Sequence, residues 1–135
     1  MSADGRIAEI AASWWQMACD DLTVAGRARD LPSVCAFHAQ QAVEKALKTL
    51  LVLHQIEFEK SHNIGNLLGR VRGSPTVPPD ALLSDLPPLT RFAVETRYPP
   101  AAATPQEAAD ALGAAERFLA WVEAALPPEV TSPGG

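Results

Sequence analysis

His38, Gln41, Lys45 and Lys48 recur at helical spacing along one uninterrupted segment, and together they could hold a phosphate or a base. Lysine supplies a point charge, while imidazole and carboxamide supply donors and acceptors. The same four residues could equally form the solvated side of a helix. Asp21 is a second candidate. Its helical angle puts it between Met17 and Ala25, on the apolar side of its own segment. A carboxylate there either reaches water at the boundary or takes a cation or His from a neighbouring helix as its partner, because burying an unpaired charge is costly. His62 stands in the first turn of a short predicted helix, where unpaired backbone N–H groups favour an anion; capping or plain surface placement is the alternative. Arg97 and Tyr98 stand at a predicted helix end against Pro99-Pro100. The helix dipole alone favours an arginine there, and the prolines would also fix the guanidinium and the ring at a rigid corner.

Several other chemistries find no support in the sequence. Cys19 and Cys35 are not a CxxC pair, and His38, His54 and His62 are too spread for a HExxH-type metal site. There is no glycine-rich phosphate loop and no serine-centred nucleophile elbow. No metal and no cofactor are expected. The net charge of −5 gives no general attraction to nucleic acid or anionic membrane. Trp14, Trp15 and Trp121 read as core or interface, since their helices lack the basic charge of single-strand binders. No apolar run approaches a membrane span, and Met1 to Arg6 lack the features of a signal peptide. A cytoplasmic protein with both cysteines reduced is the expectation.

The elements that must position these residues are helical throughout. The 135 residues, 47% hydrophobic and 20% charged, suit one soluble domain. A first helix is predicted from about Asp4 to Arg29, with Ile7, Ala11, Trp14, Ala18 and Ala25 as its stripe and Ile10, Met17 and Ala28 on the flank. Leu31-Pro32-Ser33 turns the chain, with Ser33 as a candidate N-cap. The second helix runs to His54 and buries Ala36, Ala39, Val43, Leu47 and Leu50. It is apolar over more than half its circumference, which places it at the centre of a bundle. Ser61 starts a short third helix through Ile64, Leu67, Leu68 and Val71. Ala81 to Leu86 form a turn or two, and Pro88 opens a fourth helix in which Arg91 pairs with Glu95. Thr104-Pro105-Gln106-Glu107 starts the last helix, which Pro127-Pro128 ends. The expected architecture is an all-α, antiparallel up-and-down bundle of four to five helices over residues 1–126, with a disordered tail over 127–135.

Asp21-Leu22, then the run Phe37-His38-Ala39-Gln40-Gln41-Ala42-Val43-Glu44-Lys45-Ala46-Leu47-Lys48, then His62 opening a short helix, then Arg97-Tyr98-Pro99, together resemble the HEPN domain over roughly residues 8–126. The resemblance implies a helical bundle that dimerises and that accompanies a minimal nucleotidyltransferase in two-component, toxin–antitoxin-like modules. It also implies a nucleotide or RNA as ligand, in a pocket lined by Asp21, His38, Gln41, Lys45, His62, Arg97 and Tyr98. Other HEPN proteins are metal-independent ribonucleases whose motif is an Arg, four to six residues, then a His. Here the three positions that could supply that His after Arg97 are Ala102, Ala103 and Thr104. The chain thus departs from the catalytic motif. A ribonuclease reading would need a divergent site drawn from Arg97, His38 and His62, and a purely structural adaptor is the remaining alternative.

Overall fold

Proline decides where most of the helices begin. Its fixed φ and missing N–H suit the first helical turn and nothing further in. The structure, a computed structural model, describes residues 3–60, 63–93 and 102–132. Helix α1 spans Ala3–Arg27, and α2 spans Pro32–Leu53 with Pro32 in its first turn. Helix α3 is Ile64–Val71 and α4 is the single turn Asp80–Leu83, which follows Pro79. A 3-10 segment covers Pro87–Ala93. Helix α5 is Pro105–Ala125, and α6 is the short turn Pro128–Thr131. There is no strand among the described residues.

Residues 28–31 are the whole link between α1 and α2, so the two helices must run antiparallel. Helix α5 starts beside the start of α2: the Ala103 N–H donates to Ser33 Oγ at 3.1 Å, and the Cys35 thiol faces the Ala108 carbonyl at 3.9 Å. This is the up-and-down order, with α5 as the fourth member parallel to α2. Because α3 and the 3-10 segment are short, α5 also packs directly on α2. Helix α2 therefore touches α1, α3, α5 and the 3-10 segment. Its expected apolar face of Ala36, Ala39, Val43, Leu47 and Leu50 is fully buried. Opposite them on the core side of α5 lie Ala108, Ala111, Leu112, Ala115, Phe118, Leu119 and Val122, also buried.

Four expectations are corrected by the structure. Ser33 is not the N-cap of α2; Leu31 holds that position without a side-chain bond, and the Ser33 hydroxyl is used instead as an acceptor for Ala103. Asn63 caps α3 by accepting from the Asn66 N–H at 3.0 Å; Ser61 lies outside the described residues. Arg91 reaches across to Glu107 on α5; its expected pairing with Glu95 falls outside the described residues and is not among these corrections. The segment after Pro127 is not a loose tail through Thr131, because α6 folds back onto α1 and buries Val130. Finally, the buried side of α1 keeps Ala11, Ala18 and Ala25 of the expected stripe but takes in Trp15 where Trp14 was expected; Trp14 is half-buried, and Ile10 and Met17 of the expected flank face outward. Helix α1 contacts α5 and α6 as well as α2, and the second contact surface turns its buried side toward Trp15.

The start of α5 carries the capping box expected from the sequence. Thr104 Oγ1 accepts from the Glu107 N–H at 3.0 Å, and Glu107 Oε1 accepts from the Thr104 N–H at 2.9 Å. Glu107 Oε2 takes the Arg91 guanidinium. The hydrogen bond from Arg91, followed by that from the Thr104 backbone, pulls the Glu107 carboxyl down to about 2. A depressed folded-state value means stability that is fully present above the ordinary carboxylate pKa, about 4.3, and is lost as pH falls through 2. Glu107→Gln should therefore lower the melting temperature at neutral pH, and the two proteins should converge as the solution approaches pH 2. Thermal melts by circular dichroism across that range check this; a gap that stays constant with pH would refute it.

Candidate functional site

Two turns separate His38 from Lys45 on α2, which sets both side chains toward the same stretch of α1. Asp21 on α1 meets them both. Its Oδ1 lies 2.8 Å from His38 Nδ1, and its Oδ2 lies 2.6 Å from Lys45 Nζ. Asp21 is 8% exposed, so its carboxylate depends on these partners rather than on water. Of the two readings open in the sequence, the structure has the interhelical one. A carboxylate accepts and does not donate, so Nδ1 of His38 carries the proton aimed at Asp21, and Nε2 is the ring nitrogen left to face elsewhere. Phe37 packs its ring edge-on against the imidazole, with centroids 5.1 Å apart. The carboxylate thus orients both an ammonium, which keeps donor capacity for a ligand oxygen, and an imidazole, whose Nε2 is left as an acceptor.

A second polar seam runs beside the first and was not legible as such. Gln40, Glu44 and Lys48 follow one another at four-residue intervals and are all buried. Gln40 Nε2 donates to Glu44 Oε1 at 3.2 Å, and Lys48 Nζ donates to Glu44 Oε2 at 3.1 Å. Gln41, expected in the ligand pocket, turns its amide onto Gln40 Oε1 at 2.9 Å. The Lys48 ammonium also sits 5.3 Å from the Trp14 ring centre and 5.7 Å from that of Phe58. The connector after α2 brings Phe58 edge-on to Trp14, and this covers a side of α2 that helical angles alone leave open to water. The signal that could have revealed it is the Gln–Glu–Lys spacing itself, which suits a self-contained chain along one helix.

His62, Arg97 and Tyr98 lie outside the described residues. The cluster that the structure assembles from the candidate set is therefore Asp21, His38 and Lys45, with Gln41 at its edge. His54 is elsewhere: its Nε2 is 2.7 Å from Thr76 Oγ1, and burial lowers its pKa. Both cysteines are free thiols; burial, then Glu123 and Asp20, pushes Cys19 up to about 11, and burial raises Cys35. Neither is a ready thiolate. No group of three or more His, Cys, Asp or Glu able to hold a metal ion occurs among the described residues. No helix among them is long and apolar enough to cross a membrane.

Among known proteins, the family model for the HEPN domain matches residues 11–125. The crystal structure of TT1696 from Thermus thermophilus is similar at 33% identity, covering 86% of this chain and 98% of that one, with a TM-score of 0.72. That of ST0689, described as an archaeal HEPN homologue, is similar at 28% identity, covering 85% and 96% of the two chains, with a TM-score of 0.69. No curated protein matches.

Proposed function

The chain belongs to the HEPN family, and from that premise we propose that it is a non-catalytic HEPN module that binds a nucleotide and works with a minimal nucleotidyltransferase in a two-component, toxin–antitoxin-like system. The observation that carries the ligand reading is the Asp21 carboxylate clamping His38 and Lys45 from two helices. Asp21 neutralises part of the local positive charge and fixes the ammonium and the imidazole. A phosphate oxygen then accepts from Lys45 Nζ in a charge-assisted hydrogen bond, while His38 Nε2 accepts from a ligand hydroxyl or N–H. What supports a non-catalytic module is the sequence, with Ala102, Ala103 and Thr104 where the ribonuclease motif would place its His. The transferase partner rests on family resemblance alone, and co-expression of the two proteins tests it; failure to form a complex removes it.

Lys45→Ala removes the ammonium while leaving Asp21 its bond to His38. Titration calorimetry with ATP should show binding to the native protein that is weakened roughly tenfold or more in this variant, the loss expected for one charge-assisted contact. Equal affinity in a folded variant would remove the cluster from the ligand site.

A second reading has one observation in its favour. An imidazole oriented by a carboxylate is the arrangement of a general base. In that reading His38 Nε2 takes the proton of an RNA 2′-hydroxyl, and the protein is a metal-independent endoribonuclease. Cleavage of RNA in the presence of a chelator, abolished by His38→Ala and by Arg97→Ala, would establish it in place of the first. A folded protein that neither binds nucleotide nor cleaves RNA would leave the adaptor reading.

A further inference from the structure

Trp14 stands seven residues before Asp21 on α1. Seven residues are two helical turns, so both side chains leave the same side of the helix, about 10 Å apart along its axis. Met17, 45% exposed, lies between them. On α2, the Lys48 ammonium reaches the Trp14 ring and the Lys45 ammonium reaches Asp21. The seam between the two helices thus carries an indole at one end and the Asp21–His38–Lys45 cluster further along.

Two contacts pin the indole. The Lys48 ammonium, itself buried, lies over the ring at 5.3 Å from its centre. Phe58 packs against it with centroids 6.3 Å apart and planes at 76°. Trp14 is nevertheless only half-buried, so part of the ring stays open to solvent. An aromatic surface fixed in this way loses little freedom when a ligand covers it. The ammonium also selects what covers it. A cation on an indole draws on its π density and leaves it a poorer host for a second cation, and a better one for an electron-rich planar ring. The sequence of α1 lacks the basic charge that accompanies base-stacking aromatics, but α2 brings Lys45 and Lys48 alongside.

Resting on the nucleotide reading of the Asp21 cluster, we propose that Trp14 is the platform on which the ligand's base stacks, while a phosphate oxygen accepts from Lys45 Nζ and the ribose spans Met17 between them. The ligand class is therefore a nucleotide recognised through its base as well as its phosphates. An inorganic polyphosphate satisfies only the Lys45 end.

Titration calorimetry of the full chain with ATP and with inorganic tripolyphosphate tests this. The native protein should bind ATP roughly tenfold more tightly than tripolyphosphate, the gain expected from stacking one base. Trp14→Leu should bring ATP down to the level of tripolyphosphate and leave tripolyphosphate unchanged, whereas Trp14→Tyr should keep most of the preference. Equal affinity of the native protein for the two ligands would overturn the platform and leave a phosphate site at Lys45. A folded Trp14→Leu protein that keeps the native preference would overturn it as well. So would one that loses both ligands alike, because Trp14 would then act only through the fold. A native protein that binds neither ligand would sink the nucleotide reading and the platform with it.

Discussion

Lys48→Met is expected to destabilise the protein by about 3–5 kcal/mol, although it replaces a charge with a well-sized apolar chain. Glu44 is 2% exposed and Lys48 8%, so neither group of the pair can turn to bulk water when the other is removed. Without the ammonium, Glu44 keeps its bond from Gln40 but loses the opposite charge that offsets its desolvation. Glu44→Leu should be costly for the converse reason, because the Lys48 ammonium would be left against the aromatic rings of Trp14 and Phe58. The double variant should cost much less than the sum of the two, since no charge then remains uncompensated. Urea unfolding of all four proteins measures this. Additive losses would mean that the pair is not coupled.

Phe118→Ala should cost about 3–5 kcal/mol by a different mechanism. The Phe118 side chain is fully buried on α5, among residues that also belong to the core of α2 and α3. Its loss removes a large apolar surface and leaves a cavity that helices fixed on several sides cannot collapse into. The contrasting control is Gln106→Ala, which deletes an exposed side-chain bond to Asp110 and should change stability by less than about 0.5 kcal/mol. Similar losses for both would show that Phe118 does not organise the core.

The parts of the fold that were legible in the sequence are those with a local cause. Thr104, Pro105 and Glu107 fix the start of α5 through bonds made within one turn, and Pro127-Pro128 fixes its end. The apolar face of α2 was legible because every position on it is apolar. The choice of Trp15 over Trp14 on α1 was not, since the two are adjacent and only the second contact surface, with α5 and α6, decides between them. The burial of Gln40, Glu44 and Lys48 was hidden because their cover comes partly from Phe58, in a segment that carries no periodic signal. At the site, periodicity showed that Asp21 was out of place on an apolar side and that His38 and Lys45 shared a face. Nothing local told which helix would supply the partner; the short link between α1 and α2 made each the other's neighbour.

That short link also sets the loop entropy that each contact has to overcome. Asp21 is 17 residues from His38 and 24 from Lys45 along the chain. Closing loops of this size costs little entropy, whereas Ser33 must wait for Ala103, 70 residues away. The α1–α2 hairpin is thus the piece of the molecule with the least loop entropy to lose on closing, and the polar cluster lies wholly within it, whereas the packing of α5 on α2 spans a far longer loop. The Asp21 cluster, proposed as a ligand site, also ties the first two helices into register.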